Sequence, residues 1–319
     1  MAEILRRRRL CRGSGSESSR ARSAGACGAG RRANVLNISM GEDEDHFWDD
    51  LSPAEQRFVE TITHELADVS WAGPLLRDIA ANGGLIRANK ARFFELRFGY
   101  ALHQAGIVPA YEVTGEADST LDFGFASRGQ DWLVELMRLE ETDAVRRATH
   151  TGTDENGVRL SRRMLSTDAE DARESPEGET IKAVERICQK LEHGGRPHKF
   201  PVPARAYHAI LIDFRTFLHG GDVVDRIHVG VGGEYVPVPC RHYWNGELIS
   251  GVFSPRTTLR GAAQARERVH FLGFVCEERY RPGTFAAATQ FVGNPNLFQS
   301  AEEAQAVIAT WPLQPATVL

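Results

Sequence analysis

The stretch AYHAILIDFR, residues 206–215, carries apolar side chains at consecutive positions through Ala209–Ile212, so a strand built from it has no polar face. Such a strand must be covered on both sides. It reads as the central strand of a sheet layered between helices.

The segments around it supply those helices. Ser52 as N-cap, Pro53 at the first helical position and Glu55 three residues after the cap open a helix over 52–69, with Phe58, Ile62, Leu66 and Val69 at helical spacing. A second helix is predicted over 74–81, stopped by NGG, and a third over 88–105, ended by Gly106. The inward stripe of the third is Ala91, Phe94, Glu95, Phe98, Ala101, Leu102 and Ala105, on which Glu95 is the single ionisable group. A further helix spans 179–193, with Ile181, Val184, Ile187, Cys188 and Leu191 facing inward and GG as its stop. Short strands are expected from 227 onward and over 268–280, then a helix over 300–311 opened by Ser300 and Glu303. Helices alternating with strands predict an α/β fold with a mixed central sheet flanked by helices.

Between the third and fourth helices lies LDFGFASRGQDWLVELMRLE, residues 121–140, which reads as two strands joined by a turn at SRGQ. Residues two apart share a strand face, so Leu133, Glu135 and Met137 point one way and Trp132, Val134, Leu136 and Arg138 the other. Asp122 falls opposite Leu121, Phe123 and Phe125. Paired strands bring Asp122 and Glu135 together, and two close carboxylates repel unless a cation or a shared proton compensates. With Glu95 as a third acid, the pattern suits Mg²⁺ or Mn²⁺ as a hard, oxygen-liganded ion.

The order helix with Glu, strand with Asp, strand with a second acid, helix, apolar strand resembles the PD-(D/E)XK restriction-endonuclease-like superfamily across roughly 88–215. The resemblance implies a restriction-endonuclease-like core with a C-terminal elaboration. It also implies Glu95, Asp122, Glu135 and the Leu136 carbonyl as ligands of one or two Mg²⁺ (or Mn²⁺) ions. The metal would activate a water against a phosphodiester in nucleic acid, with Asp122 and Glu135 as catalytic acids. Leu121 stands in the family's proline place, and Met137 stands where the family has its lysine. Some members take a basic or amide group from the following helix, where Lys182, Gln189 and Lys190 are available; Lys182 and Gln189 share a flank with Glu185. Three readings stay open: a divalent-metal nuclease, a catalytically inactive module of that fold with a structural or interaction role, and an enzyme on a small substrate held in a closed apolar pocket.

The formal net charge of −5 is small for 319 residues and by itself calls for neither nucleic acid nor a membrane. Residues 1–39 hold nine Arg against Glu3 and Glu17, a net of +7, leaving −12 for the rest. Rich in Gly, Ser and Ala, the segment 1–45 is expected to be disordered: a basic tail, a transit-like peptide, or an upstream extension with Met40 as the natural start. Residues 46–319 then form one domain, interrupted by a polar insertion at about 140–178. Five unpaired cysteines and the lack of any long apolar run predict a reduced, cytoplasmic chain without a membrane span. Cys240 and His242 lack the paired spacing of a zinc site, and VGVGGEY lacks the Lys-Ser/Thr of a phosphate loop. The oligomeric state is not legible.

Overall fold

The computed structural model describes residues 38–39, 50–153, 159–163, 165, 174–217, 221–233 and 248–319, which belong to one compact unit, Val35–Leu319. The core is a six-stranded mixed sheet in the order β11-β10-β9-β4-β3-β2. Its strands are β2 (Ala110–Thr114), β3 (Thr120–Ser127), β4 (Gln130–Arg138), β9 (Ala206–Asp213), β10 (Phe271–Val275) and β11 (Thr289–Gly293). The first three form an antiparallel meander, β4, β9 and β10 run parallel, and β11 returns antiparallel.

Strand β9 is central, as its continuous apolar run requires. Ala209 and Leu211 pack in one apolar cluster with Phe123, Trp132, Val134 and Leu136, under helices α1 (Pro53–Glu65), α2 (Gly73–Ala81) and α3 (Lys90–Gln104). Ile210 and Ile212 pack in a second cluster, on the other face, with Leu121, Met137 and the inner side of α5 (Pro176–Gln189). Ser52 caps α1 by accepting the Glu55 N–H at 3.0 Å. Ser175 caps α5 by accepting the Gly178 N–H at 3.0 Å.

Four expectations change. Within the segment read as disordered, Ile38–Ser39 is a short strand, β1, and the remainder of 1–45 lies outside the described residues. The polar stretch 140–178 holds helix α4 (Asp143–Ala148), capped by Thr142, and strands β5 (Thr149–Thr153) and β6 (Arg159–Arg163), which pair with each other and with β1 in a small separate sheet. Polar composition concealed them because THTGT and RLSRR carry no apolar pattern. Where strands were expected from 227, Val223–Val231 is helix α6: Asp222 accepts the Val224 and Asp225 N–H groups, and Asp225 accepts the Asp222 N–H in return. This reciprocal cap outweighs the β-branched residues. Residues 234–247 lie outside the described part.

Helix α3 is the fourth. Ala91 and Ala105 are exposed, while Lys90 and Arg97 are fully buried beside the expected apolar residues. Both belong to a closed ionic cluster in which Arg97 bonds Glu55 at 2.6 Å and Glu277 at 2.9 Å, Lys90 meets Glu55 at 2.9 Å, and Arg215 chelates Asp213 at 2.7 and 2.5 Å. Three cations face three carboxylates with no net charge. Burial pushes Glu55 up, yet Arg97, Arg215 and Lys90 together hold it down to about 2. The cluster ties α1 and α3 to the ends of β9 and β10.

Helices α7 (Ala262–Arg268), α8 (Thr284–Ala287) and α9 (Ala301–Ile308) complete the layers. Among the described residues no helix is long and apolar enough to cross a membrane.

Candidate functional site

The site grows from a break in the meander. Backbone pairing of β3 with β4 runs from Ser127↔Gln130 to Phe123↔Val134 and stops there. In the next position the Asp122 side chain takes over, its Oδ2 accepting the Leu136 N–H at 2.5 Å. The N–H and C=O of one strand residue face the same neighbour, so the Leu136 carbonyl turns toward this opening as well.

Strand β2 breaks at the same level. Tyr111 pairs with Phe123 and Val113 with Leu121, but Glu112, opposite Asp122, adopts a left-handed φ of 55°. The face alternation changes there: Phe123 packs in the first apolar cluster and Leu121 in the second. Leu121 and Phe123 therefore do not share a face as their spacing predicted, and Asp122 sits at the crossover.

Three carboxylates approach this opening. Glu135, completely buried, lies in register with Ile210, on the side of the second cluster. Glu95 comes from α3 and accepts the Tyr111 hydroxyl at 2.8 Å. Burial, then the charges of Glu135 and Glu95, push Asp122 well above the usual aspartate range. Glu95 is likewise raised by burial, against the Tyr111 hydrogen bond, with Glu135 adding to the rise. Mutual repulsion at this range places all three acids in one electrostatic site.

Of its two cations, Lys190 is among the expected helpers and Lys199 is not. Lys190 Nζ lies 2.7 Å and Lys199 Nζ 2.9 Å from the same oxygen, Glu135 Oε1. Lys190 caps the C-terminus of α5, and Lys199 follows a two-stranded hairpin, β7 (Glu192–His193) and β8 (Arg196–Pro197), closed by Gly194 and Gly195 at φ of 59° and 80°. The hairpin pairs His193 with Arg196 and Glu192 with Pro197, and His198 donates to the Leu191 carbonyl at 3.0 Å. Continued one step, that register sets Lys190 opposite Lys199. Sequence reading took GG only as a helix stop; the signal was a tight glycine turn flanked at equal distance by two lysines.

The other expected helpers stand elsewhere. Lys182 is paired with Glu179 at 2.7 Å, two helical turns before Lys190. Gln189 turns away to line an open cavity of about 650 Å³ with Glu185, Glu192, His193, Leu259 and Arg260. The phase of α5, which buries Ala183, Val184, Ile187 and Cys188, leaves 182 and 189 off the side that meets Glu135. Met137 is buried in the second apolar cluster, among Ile210, Ile212 and Val184, and takes no part in the charged opening.

The donor set fits a hard cation in type and charge. Among the described residues, Glu135 Oε2 is buried with no hydrogen-bond partner, and Asp122 and Glu95 have no lysine or arginine at ion-pair distance. As the side chains stand, however, among the described residues no three His, Cys, Asp or Glu groups converge closely enough to hold an ion. Tyr111 draws Glu95 to one side, the Leu136 N–H draws Asp122 to another, and two ammonium groups occupy Glu135.

No protein-family model, curated protein or solved structure matches this chain.

Proposed function

We propose that the opening between β3 and β4 is a divalent-cation site for phosphodiester hydrolysis in nucleic acid. Glu95, Asp122, Glu135 and the Leu136 carbonyl would hold Mg²⁺ or Mn²⁺, in a cytoplasmic protein. The observation that carries this reading is the shortage of positive charge: three carboxylates repel one another at a buried opening, and one oxygen of Glu135 has no partner. A bound divalent ion supplies Lewis-acid stabilisation of the phosphoryl oxygens and a more acidic water.

The protein's own residues supply the rest. The Leu136 N–H fixes the orientation of Asp122, and the Tyr111 hydroxyl fixes that of Glu95. An ammonium group beside Glu135 can donate to the phosphate and to the attacking water. Water forms the new P–O bond as the bond to the leaving sugar oxygen breaks; one water proton goes to solvent, and the leaving oxygen takes one from solvent.

Met137 in the lysine place favours the competing reading, a module of this fold without catalysis. Cleavage of plasmid and labelled oligonucleotides with Mg²⁺ or Mn²⁺, compared between wild type and Asp122→Ala, separates the two. The nuclease reading expects metal-dependent cleavage lost by at least about a hundredfold in the variant; equal rates would sink it. The third reading, an enzyme on a small substrate held in a closed apolar pocket, gains nothing from the cavity beside Gln189, which is open.

A further inference from the structure

The two lysines on Glu135 are held very differently. Lys190 has a relaxed helical φ of −63°, an ammonium bonded to Glu135, and a side chain 37% exposed. Lys199 is 16% exposed and carries a left-handed φ of 71°, a conformation a residue with a side chain keeps only when its surroundings impose it.

Those surroundings are the turn between β2 and β3. The Lys199 N–H donates to Ser119 Oγ at 3.0 Å, and its carbonyl accepts the Glu116 N–H at 2.8 Å. Ser119 Oγ in turn donates to the Glu116 carbonyl at 2.6 Å. Gly115 leaves the room that the carbonyl needs, since a Cβ there would stand 2.4 Å from it. A second hydrogen bond from Nζ, to the Thr120 carbonyl at 2.8 Å, aims the ammonium. The strained backbone thus delivers one charge to a point beside the carboxylates, which is a use found for strain at active sites.

We propose that Lys199 is the catalytic ammonium standing in for the missing motif lysine, and that Lys190 is a displaceable counter-ion that leaves Glu135 Oε1 when a divalent cation enters. The assignment rests on the nuclease reading above. Lys199 keeps its Thr120 bond and its pinned backbone through that exchange, and donates to the attacking water and a phosphate oxygen without giving up its proton. Lys190, 37% exposed, would move toward solvent and leave Glu135 available as a ligand. Lys190, on Glu135 Oε1 at 2.7 Å, would then compensate part of the carboxylate charge until a cation binds.

The test measures Mn²⁺ affinity by calorimetry on the full chain, and metal-dependent cleavage alongside it, for wild type, Asp122→Ala, Lys190→Met and Lys199→Met, with a thermal melt of each. Lys190→Met is expected to bind Mn²⁺ roughly tenfold tighter, the scale of one screened charge contact removed from a competitor. Lys199→Met is expected to bind Mn²⁺ at least as well as wild type while kcat falls about a hundredfold with KM little changed, the loss typical of one donor to a developing charge. Lys190→Met should keep the larger share of kcat. If Lys199→Met does not fold, Ser119→Ala, which frees the Lys199 N–H but removes no charge, must lower kcat in the same direction.

The opposite ranking of the two lysine variants in kcat overturns the assignment, as does a Mn²⁺ affinity that falls in Lys190→Met. Wild type that fails to bind Mn²⁺, or binds it regardless of Asp122→Ala, refutes the metal site itself and the assignment with it. Binding that depends on Asp122 without cleavage of any nucleic acid removes the catalytic role of Lys199, and the Lys190 affinity shift alone then decides the counter-ion.

Discussion

Acidification should destabilise this fold through two buried histidines, which set the size of the effect. His208 lies in β9 and His270 immediately precedes the neighbouring strand β10; they are 1% and 8% exposed. The His208 N–H donates to His270 Nδ1 at 3.0 Å, so His270 carries its proton on Nε2; His208 Nδ1 lies 2.7 Å from the Arg268 carbonyl, which can only accept, so His208 carries its proton on Nδ1. A second proton on His270 would set N–H against N–H. Burial pulls His208 down from 6.5 to about 4, and burial with the neighbouring His208 pulls His270 to about 3.

A histidine whose folded pKa is depressed contributes stability that is complete above its unfolded pKa and is lost as pH falls through it. At pH 5 both rings stay neutral in the folded protein, while nearly all unfolded copies are protonated. The loss is RT ln(1 + 10^1.5), about 2 kcal/mol per ring and about 4 kcal/mol for the pair. Because both folded values lie below 5, neither their size nor their mutual coupling enters that sum. A small domain has only about 5–15 kcal/mol to lose. Glu55, held down to about 2, stays ionised over this range and adds nothing. Asp122 and Glu95 work in the opposite direction, since groups raised by burial and repulsion gain protons, and with them stability, as pH falls. The assay is therefore a difference: urea unfolding at pH 7.5, 6.5, 5.5 and 5.0 for wild type and for His270→Asn, whose Oδ1 takes the place of Nδ1 as acceptor. The variant should lose about 2 kcal/mol less than wild type between pH 7.5 and 5. Identical pH slopes in the two proteins would refute the reasoning.

Three further outcomes follow from the same geometry. Lys90→Met removes one cation from the buried cluster around Glu55 and should cost about 3–5 kcal/mol in urea unfolding at pH 7; a cost under about 1 kcal/mol would mean that Arg97 and Arg215 alone satisfy the carboxylate. Gly115→Ala, with its Cβ driven onto the Lys199 carbonyl, should lower Tm and also lower kcat in the metal-dependent assay, whereas an unchanged kcat would separate Lys199 from the chemistry. Met137→Lys, which restores the family's residue type, should destabilise the fold by several kcal/mol rather than raise activity, because its side chain would enter the apolar cluster of Ile210, Ile212 and Val184.

What the sequence made legible follows the strength of its periodic signals. The continuous run 206–215 marked the central strand, helical spacing marked α1, α3 and α5, and the turn at SRGQ marked the β3–β4 hairpin, whose backbone pairing ends one position before Asp122 and Glu135. The strands hidden in 140–178 and the helix at Val223–Val231 were not readable by period, one for lack of apolar pattern and the other because its cap, not its composition, decides it. Buried Lys90 and Arg97 were invisible for a different reason. A helical wheel assigns charges outward, and only the distant Glu55 and Glu277 reverse that choice.

The lysines show where motif reasoning and physical reasoning part. Searching for a replacement on the face of the following helix assumes that the cation must come from regular structure, where spacing fixes direction, and it selected Lys182 and Gln189. A site needs only a charge at a point. Here the helix ends, a two-glycine turn reverses the chain, and the two residues flanking that hairpin bring their ammonium groups to one carboxylate oxygen. Met137 serves the core instead: the position two residues after Glu135 lies in the second apolar cluster and is filled by what its neighbours on β9 and α5 require.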